Sequence, residues 1–123
     1  MKKRILIIED STSIREELNT LLEFENYEVL EADNGLTGYE MAEKYIPDLI
    51  LCDVIMPDMD GYEEFRALRK NPKTAHIPFI FLTAMTSTTS HMRALGSEGY
   101  ITKPFEFDSL LEKIKNLVPT EKS

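Results

Sequence analysis

The chain has 123 residues, of which 42% are hydrophobic, and a formal net charge of −8 at pH 7. This length predicts one domain with an ordinary core, the acidic balance argues against a general nucleic-acid-binding surface, and no apolar run is long enough for a membrane-spanning helix. The single cysteine, Cys52, excludes a disulfide within the chain and favours a reducing compartment such as the cytoplasm.

The first predicted elements are a short buried strand and an amphipathic helix. Residues 5–8 are apolar and are followed by two adjacent carboxylates, Glu9-Asp10. Residues 11–13 are helix N-cap types, and Ser13 with Glu16 fits a capping box. The apolar positions of this first helix, mostly on one face, are Ile14, Leu18, Leu21, Leu22 and Phe24.

An edge strand and a second helix are predicted next. Asn26 is typical of a left-handed helix stop, and residues 27–32 indicate the strand. Asn34-Gly35 then breaks the chain, and Pro47 ends the helix that follows. The apolar positions with helical spacing in this helix are Leu36, Tyr39, Ala42, Tyr45 and Ile46.

The central predicted strand ends in an aspartate. Residues 49–52 are four apolar residues in a row, which is typical of a strand buried on both faces. Asp53 follows them, and a carboxylate is costly to bury, so it should emerge where the strand meets a loop. Pro57 and Gly61 then force a tight connection. Open α/β sheets place their sites at such strand ends, so Asp53 is the candidate centre of a site.

The rest of the chain continues the alternation of strands and helices. A parallel sheet with helices on both faces and right-handed crossovers is therefore expected, in one domain over residues 1–123 with a core over 3–118. The remaining elements are a helix burying Tyr62, Phe65 and Leu68, a strand over 78–82 ended by Thr83-Ala84, a short helix over 88–95, a strand over 99–102 ended by Lys103-Pro104, a strongly amphipathic helix over 107–118 and a tail over 119–123.

Chemically useful side chains follow four of the predicted strands. Because parallel strands share one carboxyl edge, these side chains should meet there; they are Glu9, Asp10, Asp53, Thr83 and Lys103. Crowded carboxylates repel by about 4 kcal/mol for a pair about 4 Å apart at an effective dielectric of about 20. A cation that prefers oxygen ligands, such as Mg²⁺, would offset this, and no Cys or His ligand set supports zinc.

Such a site could transfer a phosphoryl group. A carboxylate facing a metal-held phosphoryl group can act as the nucleophile and form an acyl phosphate. The cation and the Lys103 ammonium would neutralise the charge that develops on the phosphoryl oxygens, and the Thr83 hydroxyl could donate to one of them.

At these residues the sequence resembles the receiver domain of bacterial two-component response regulators, of the chemotaxis-regulator kind, from residue 3 to about 118. The resemblance implies a flavodoxin-like (βα)5 fold with strand order 2-1-3-4-5. It also implies that the chain is a phosphoacceptor and not an enzyme. Such a domain only assists its own phosphorylation and dephosphorylation, and it would contact neither nucleic acid nor membrane directly. It is carried by Glu9-Asp10, Asp53, Met56-Pro57, Asp60-Gly61, Thr83-Ala84 and Lys103-Pro104-Phe105.

The resemblance also implies the phosphodonor and the metal ligands. Asp53 would accept a phosphoryl group from a histidine kinase or a histidine phosphotransfer protein. Mg²⁺ would be held by Asp10, Asp53 and the backbone carbonyl of Ile55, with Glu9 acting through water.

Further roles implied by the resemblance concern the response to phosphorylation. Thr83 and Lys103 would contact the phosphoryl group, and Thr83 and Tyr100 would form the switch. The change would be displayed on the face formed by the fourth helix, fifth strand and fifth helix, and Lys103-Pro104 is a candidate cis peptide. The chain departs from the family where the span from Thr83 to Lys103 is about two residues short and where Ser97-Glu98 replaces a pair of small residues.

Three other functions compete with this one. A Mg²⁺-dependent phosphohydrolase with an aspartyl nucleophile commonly needs a second acid where Ile55 stands. A flavin-binding electron carrier needs a hydroxyl- and glycine-rich phosphate loop where Glu9-Asp10 stands. A phosphorylation-independent binding module would share the fold without the chemistry. As a receiver domain, the chain is expected to be either a stand-alone domain or one cut from a longer regulator or hybrid kinase.

Overall fold

The computed structural model describes residues 2–83 and 97–120. Within them, five parallel strands form one sheet of order β2-β1-β3-β4-β5, which confirms the flavodoxin-like topology. The predicted helix over residues 88–95 and Ala84 lie outside the described residues. The elements are β1 (Arg4–Ile8), α1 (Thr12–Phe24), β2 (Glu28–Ala32), α2 (Gly35–Tyr45), β3 (Leu49–Asp53), α3 (Gly61–Lys70), β4 (Phe79–Thr83), β5 (Gly99–Thr102) and the C-terminal helix (Phe107–Leu117).

The three central strands are buried on both faces, as their continuous apolar runs predict. Every residue of β3 and β4 is buried, and so are four of the five in β1. Helices α2 and α3 cover one face of the sheet, whereas α1 and the C-terminal helix cover the other. Among the described residues, no helix has the length and apolarity needed to cross a bilayer.

The strand register places the predicted site residues at one edge of the sheet. Ile8, the last residue of β1, pairs with Cys52, and Asp53 at the end of β3 pairs with Leu82. Thr83 follows at the end of β4 and pairs with Thr102 of β5. The residues that end or follow these four strands are therefore neighbours across the sheet.

The N-cap of α1 differs from the sequence expectation. Ser11 is the N-cap of α1, and its hydroxyl accepts a hydrogen bond from the backbone N–H of Ile14 at 3.4 Å. Ser13 therefore lies inside the helix, and the predicted capping box of Ser13 with Glu16 is wrong. A complete capping box is instead found at the start of α3, where Asp60 and Glu63 exchange hydrogen bonds.

Helix α2 buries small residues rather than the large ones its spacing suggested. Gly35, Gly38 and Ala42 are its buried positions, while the side chain of Leu36 is 63% exposed. A Cβ atom on Gly38 would lie 2.6 Å from Cδ1 of Ile8, so the helix approaches the sheet too closely for a larger side chain. Phe24 at the end of α1 is likewise 82% exposed, although it was assigned to the apolar face.

Candidate functional site

The three acidic residues predicted for the site lie together at the carboxyl edge of the sheet. Glu9, Asp10 and Asp53 each offer one carboxylate oxygen, and these oxygens all lie within 4.8 Å of one another. Glu9 and Asp53 are buried, whereas Asp10 is exposed. The cluster is thus a partly buried acidic site with one ligand facing solvent.

Lys103 follows β5 at the same carboxyl edge of the sheet, and its side chain contacts this cluster. Its Nζ lies 2.6 Å from Oε1 of Glu9 and 3.2 Å from Oδ1 of Asp53. The backbone N–H of Lys103 donates to the carbonyl of Thr83 at 2.7 Å, which fixes the start of its side chain beside β4. The Lys103-Pro104 peptide is cis, as expected. The structure therefore brings four of the predicted residues into one constellation.

Burial and ion pairing act in opposite directions on these groups. Burial raises the pKa of Glu9 above its usual value, against the lowering effect of hydrogen bonds from Lys103 and from the backbone N–H of Ser11. For Lys103, burial lowers the pKa, but the hydrogen bond and charge of Glu9 and the charge of Asp53 outweigh it, so the pKa is raised. Lys103 is consequently a firmly protonated cation between two carboxylates.

The donor set suits a cation that prefers oxygen ligands. Both oxygens of Glu9 already accept hydrogen bonds, Oε1 from Lys103 and Oε2 from the backbone N–H of Ser11. Asp10 and Asp53 are therefore the better direct ligands, and carboxylates of this number fit Mg²⁺. Ile55 lies in the loop directly after β3, with its side chain 63% exposed.

The two predicted switch residues lie on neighbouring strands. Thr83 ends β4 and is 2% exposed, one residue beyond the partner of Asp53 in the register. Tyr100 lies on β5 opposite Phe81, and it is half-buried against the core that α2 and α3 cover. The fourth helix, which the resemblance places next to them, is outside the described residues.

A glycine sets the geometry of the connection from β3 to α3. The backbone N–H of Gly61 donates to the carbonyl of Val54 at 2.7 Å. A Cβ atom at Gly61 would lie 2.5 Å from the carbonyl oxygen of Asp53. Only glycine allows this approach, so α3 can begin directly beneath the candidate phosphoacceptor.

Two acidic residues outside the cluster have surroundings that the sequence analysis did not anticipate. Glu64 on α3 is fully buried, and neither of its carboxyl oxygens has a hydrogen-bond partner among the described residues. Its spacing from Gly61 and Leu68 is that of a residue on the inward face of α3, but a charged side chain is not expected to be buried there. Asp58, in the loop between β3 and α3, accepts hydrogen bonds from the backbone N–H groups of Gly35 and Leu36.

Comparison with known proteins places this site in a family. Residues 5–115 match the family model described as the response regulator receiver domain. The chain is 39% identical over 120 residues to a probable transcriptional regulator, ycf29, of Porphyra purpurea, covering 96% of this chain and 57% of that protein. It also resembles the chemotaxis response regulator CheY4 of Vibrio cholerae, with a TM-score of 0.88, 32% identity, and coverage of 96% of this chain and 100% of that one.

A further solved structure bears on the acidic cluster. The receiver domain of sensor histidine kinase PA1611 from Pseudomonas aeruginosa PAO1, with a magnesium ion coordinated in its active site cleft, has a TM-score of 0.86 and 26% identity, covering 95% of this chain and 98% of that one. The chain spans about half the length or less of several curated relatives that it matches. By its family match, its sheet order and its acidic edge, the chain belongs to the response regulator receiver domain family.

Proposed function

We propose that Asp53 accepts a phosphoryl group from a phosphohistidine of a histidine kinase or histidine phosphotransfer protein, in a reaction that depends on Mg²⁺. The observation that carries the proposal is the placement of Lys103 Nζ 3.2 Å from Oδ1 of Asp53, within an acidic cluster that also contains Asp10. This arrangement pairs a nucleophilic carboxylate with a fixed cation, and the same carboxylate together with Asp10 could hold a metal ion.

Each residue has a defined part in the transfer. A carboxylate oxygen of Asp53 forms the new bond to phosphorus as the bond from phosphorus to the donor's histidine nitrogen breaks. Lys103 keeps its proton and stabilises the negative charge on the phosphoryl oxygens. Asp10, Asp53 and the backbone carbonyl of Ile55 would hold Mg²⁺, with Glu9 contributing through water. When bound, this ion neutralises and orients the phosphoryl oxygens.

The same residues support a switch. Phosphorylation adds a charge of about −1.5 to −2 and three acceptor oxygens. Thr83 and Lys103, at the ends of β4 and β5, would be drawn towards these oxygens, and hydrogen bonds to charged groups contribute about 1.5–3 kcal/mol. That is comparable with typical allosteric coupling energies of about 1–3 kcal/mol. Tyr100 would follow, so that the surface around β5 and the C-terminal helix reports the state of Asp53.

Two features of the chain argue against the rival functions. A phosphohydrolase would need an acid at the position of Ile55, and a flavin carrier would place its phosphate against the acidic pair Glu9-Asp10. The complete set of acceptor residues likewise argues against a binding module without chemistry. We therefore assign the chain to one receiver domain of a cytoplasmic two-component pathway, with a histidine kinase or phosphotransfer protein as donor.

Intact mass spectrometry tests the proposed acceptor. With Mg²⁺ and acetyl phosphate, the wild-type protein should gain one phosphoryl group and Asp53→Ala should gain none. Asp48→Asn is the matched control, because Asp48 immediately precedes β3 at the end opposite Asp53 and should not affect the gain. A gain in Asp53→Ala, or none in the wild type, would contradict the proposal. Steady turnover of phosphoesters would instead favour the phosphohydrolase.

The order of events in the switch predicts the behaviour of Thr83→Ala. This variant should still accept the phosphoryl group, because the nucleophile and Lys103 remain. It should lose most of the phosphorylation-dependent change in residues 97–105, because the hydroxyl that follows the phosphoryl group is missing. Hydrogen exchange of these residues, measured with and without phosphodonor, checks the expectation. A full change in Thr83→Ala would refute this order.

A further inference from the structure

The loop between β3 and α3, residues 54–60, has few backbone contacts of its own. Its backbone hydrogen bonds lie at its ends, where Val54 donates to the carbonyl of Leu82 and accepts from the N–H of Gly61. Within the described residues, no backbone hydrogen bond joins residues 55–59 to another backbone group. Met56 is buried, which anchors the middle of the loop, but Ile55 is exposed. Backbone hydrogen bonds therefore do not fix the direction of the Ile55 carbonyl, which depends on the side-chain contacts of the loop.

One such contact is made by the side chain of Asp58. Its Oδ1 accepts a hydrogen bond from the backbone N–H of Gly35 at 3.1 Å, and its Oδ2 accepts one from Leu36 at 3.0 Å. These are the first two residues of α2, whose next N–H, that of Thr37, is capped by the side chain of Asn34. Asp58 thus satisfies two of the four N–H groups that a helix start leaves without partners.

Charge and packing both strengthen this contact. The positive end of the helix dipole favours a carboxylate. The hydrogen bond from the backbone N–H of Gly35 is the largest of the effects that lower the pKa of Asp58, so the side chain stays ionised. The neighbouring residue packs against the same helix turn, because a Cβ atom on Gly35 would lie 2.9 Å from Sδ of Met59. The loop is consequently held against α2 by two successive residues.

We propose that Asp58 is a positioning residue that holds the loop against α2 and so aims the backbone carbonyl of Ile55 at the metal site. This inference rests on the proposed function, because it assumes that Ile55 supplies a metal ligand. Asp58 itself takes no part in binding the ion. Its effect reaches the site through the backbone of Met56 and Pro57, the two residues that separate it from Ile55.

Calorimetric titration with Mg²⁺ tests the proposal in the full chain. Asp58→Ala should weaken Mg²⁺ binding by about tenfold, a loss typical for partners that orient metal ligands. Asp33→Ala is the matched control, because it removes one exposed carboxylate beside the same helix start, where Asp33 accepts a hydrogen bond from the side chain of Asn34. Asp58→Asn, which retains one acceptor oxygen, should fall between the two.

Salt separates positioning from simple loss of charge. A purely electrostatic effect would fade in about 0.5 M salt, where the Debye length is only about 4 Å. The positioning effect should persist there. Hydrogen exchange at Gly35 and Leu36 should also accelerate in Asp58→Ala alone.

The outcomes distinguish this inference from the function on which it rests. Equal Mg²⁺ affinities of Asp58→Ala and Asp33→Ala would overturn the positioning role while leaving the proposed function intact. Failure of the wild-type protein to bind Mg²⁺ would instead overturn the proposed function, and the positioning role with it.

Discussion

At the scale of single residues, Lys103 is the group on which the acidic site depends. Its ammonium lies against Glu9, which is 1% exposed, and against Asp53. Lys103→Met keeps the length of the side chain but leaves these carboxylates without their cation. We expect the free energy of unfolding at neutral pH, without Mg²⁺, to fall by about 3 kcal/mol, because breaking a buried ion pair exposes its full desolvation penalty.

The pH dependence of this loss identifies its cause. Without Lys103, the pKa of Glu9 should rise further, so the penalty should be small at low pH, where Glu9 is protonated, and should grow as the pH rises. Urea denaturation at pH 5 and pH 8, roughly, measures the difference. Lys73→Met, at an exposed position in a turn, is the control and should change little. Equal losses at both pH values would show that packing, and not charge, is responsible.

At the scale of elements, Glu64 makes the attachment of α3 to the sheet depend on pH. Burial, first, and the charge of Asp58, second, raise its pKa to about 8 from the ordinary 4.5. The folded protein keeps this proton across that window, whereas the unfolded chain releases it above about pH 4.5. Stability therefore falls as the pH rises from about 4.5 to about 8, by a difference on the order of 5 kcal/mol, and levels off above it.

Glu64→Gln removes the titrating group at the same volume. Between about pH 4.5 and about pH 8, the free energy of unfolding of this variant should lose on the order of 5 kcal/mol less than that of the wild type. Glu40→Gln, an exposed acid on α2, should keep the wild-type slope. Denaturant unfolding at half-unit steps of pH, roughly, supplies the comparison. Parallel wild-type and Glu64→Gln profiles would mean that Glu64 has an ordinary pKa.

The junction of β3 and α3 gives a second element-scale prediction. Gly61→Ala would push a Cβ atom against the carbonyl oxygen of Asp53, which is backbone and cannot rotate away. We expect a loss of about 2 kcal/mol in stability together with slower phosphorylation, because the displaced atom belongs to the proposed phosphoacceptor.

A second glycine provides the control for that substitution. Gly38→Ala makes a similarly close contact, but with the flexible end of the Ile8 side chain on α2's side of the core. It should lower stability and leave the rate of phosphorylation by acetyl phosphate near that of the wild type. Equal rates for both variants would show that the Gly61 junction does not set the position of Asp53.

At the scale of the whole molecule, the residue pattern predicted a parallel sheet and its acidic edge, whereas the strand order followed from the resemblance to receiver domains. Continuous apolar runs marked the buried strands, and polar residues after them marked the edge at which Asp53 and Lys103 meet. These signals are local, and the parallel order converts them into proximity. The register then confirmed the expected strand order from β2 to β5.

What the sequence did not reveal depends on contacts between distant segments. Asp58 and Gly35 are 23 residues apart, and nothing in the loop composition announces their hydrogen bond. Glu64 occupies an inward helical position, but a charged side chain is rarely buried, so its residue type argued against the burial that its spacing favoured. The buried face of α2 consists of small residues, because close approach to the sheet mattered more there than hydrophobic area.

Binding of Mg²⁺ should be visible in the stability of the entire domain. An ion that binds only the folded state adds RT ln(1 + [L]/Kd) to the free energy of unfolding, or about 2.7 kcal/mol at about 100 times Kd. The proposed ligands are far apart in the chain, Asp10 just after β1 and Asp53 at the end of β3, so the site exists only when the sheet is assembled. Wild-type protein should therefore gain stability with each increase in Mg²⁺, whereas Asp10→Asn and Asp53→Asn should gain little.

Asp33→Asn, which removes the same charge outside the cluster, should respond as the wild type does in thermal unfolding with 0 to about 20 mM Mg²⁺. A response shared equally by all four proteins would mean that the ion acts by general screening and that the acidic edge is not a metal site.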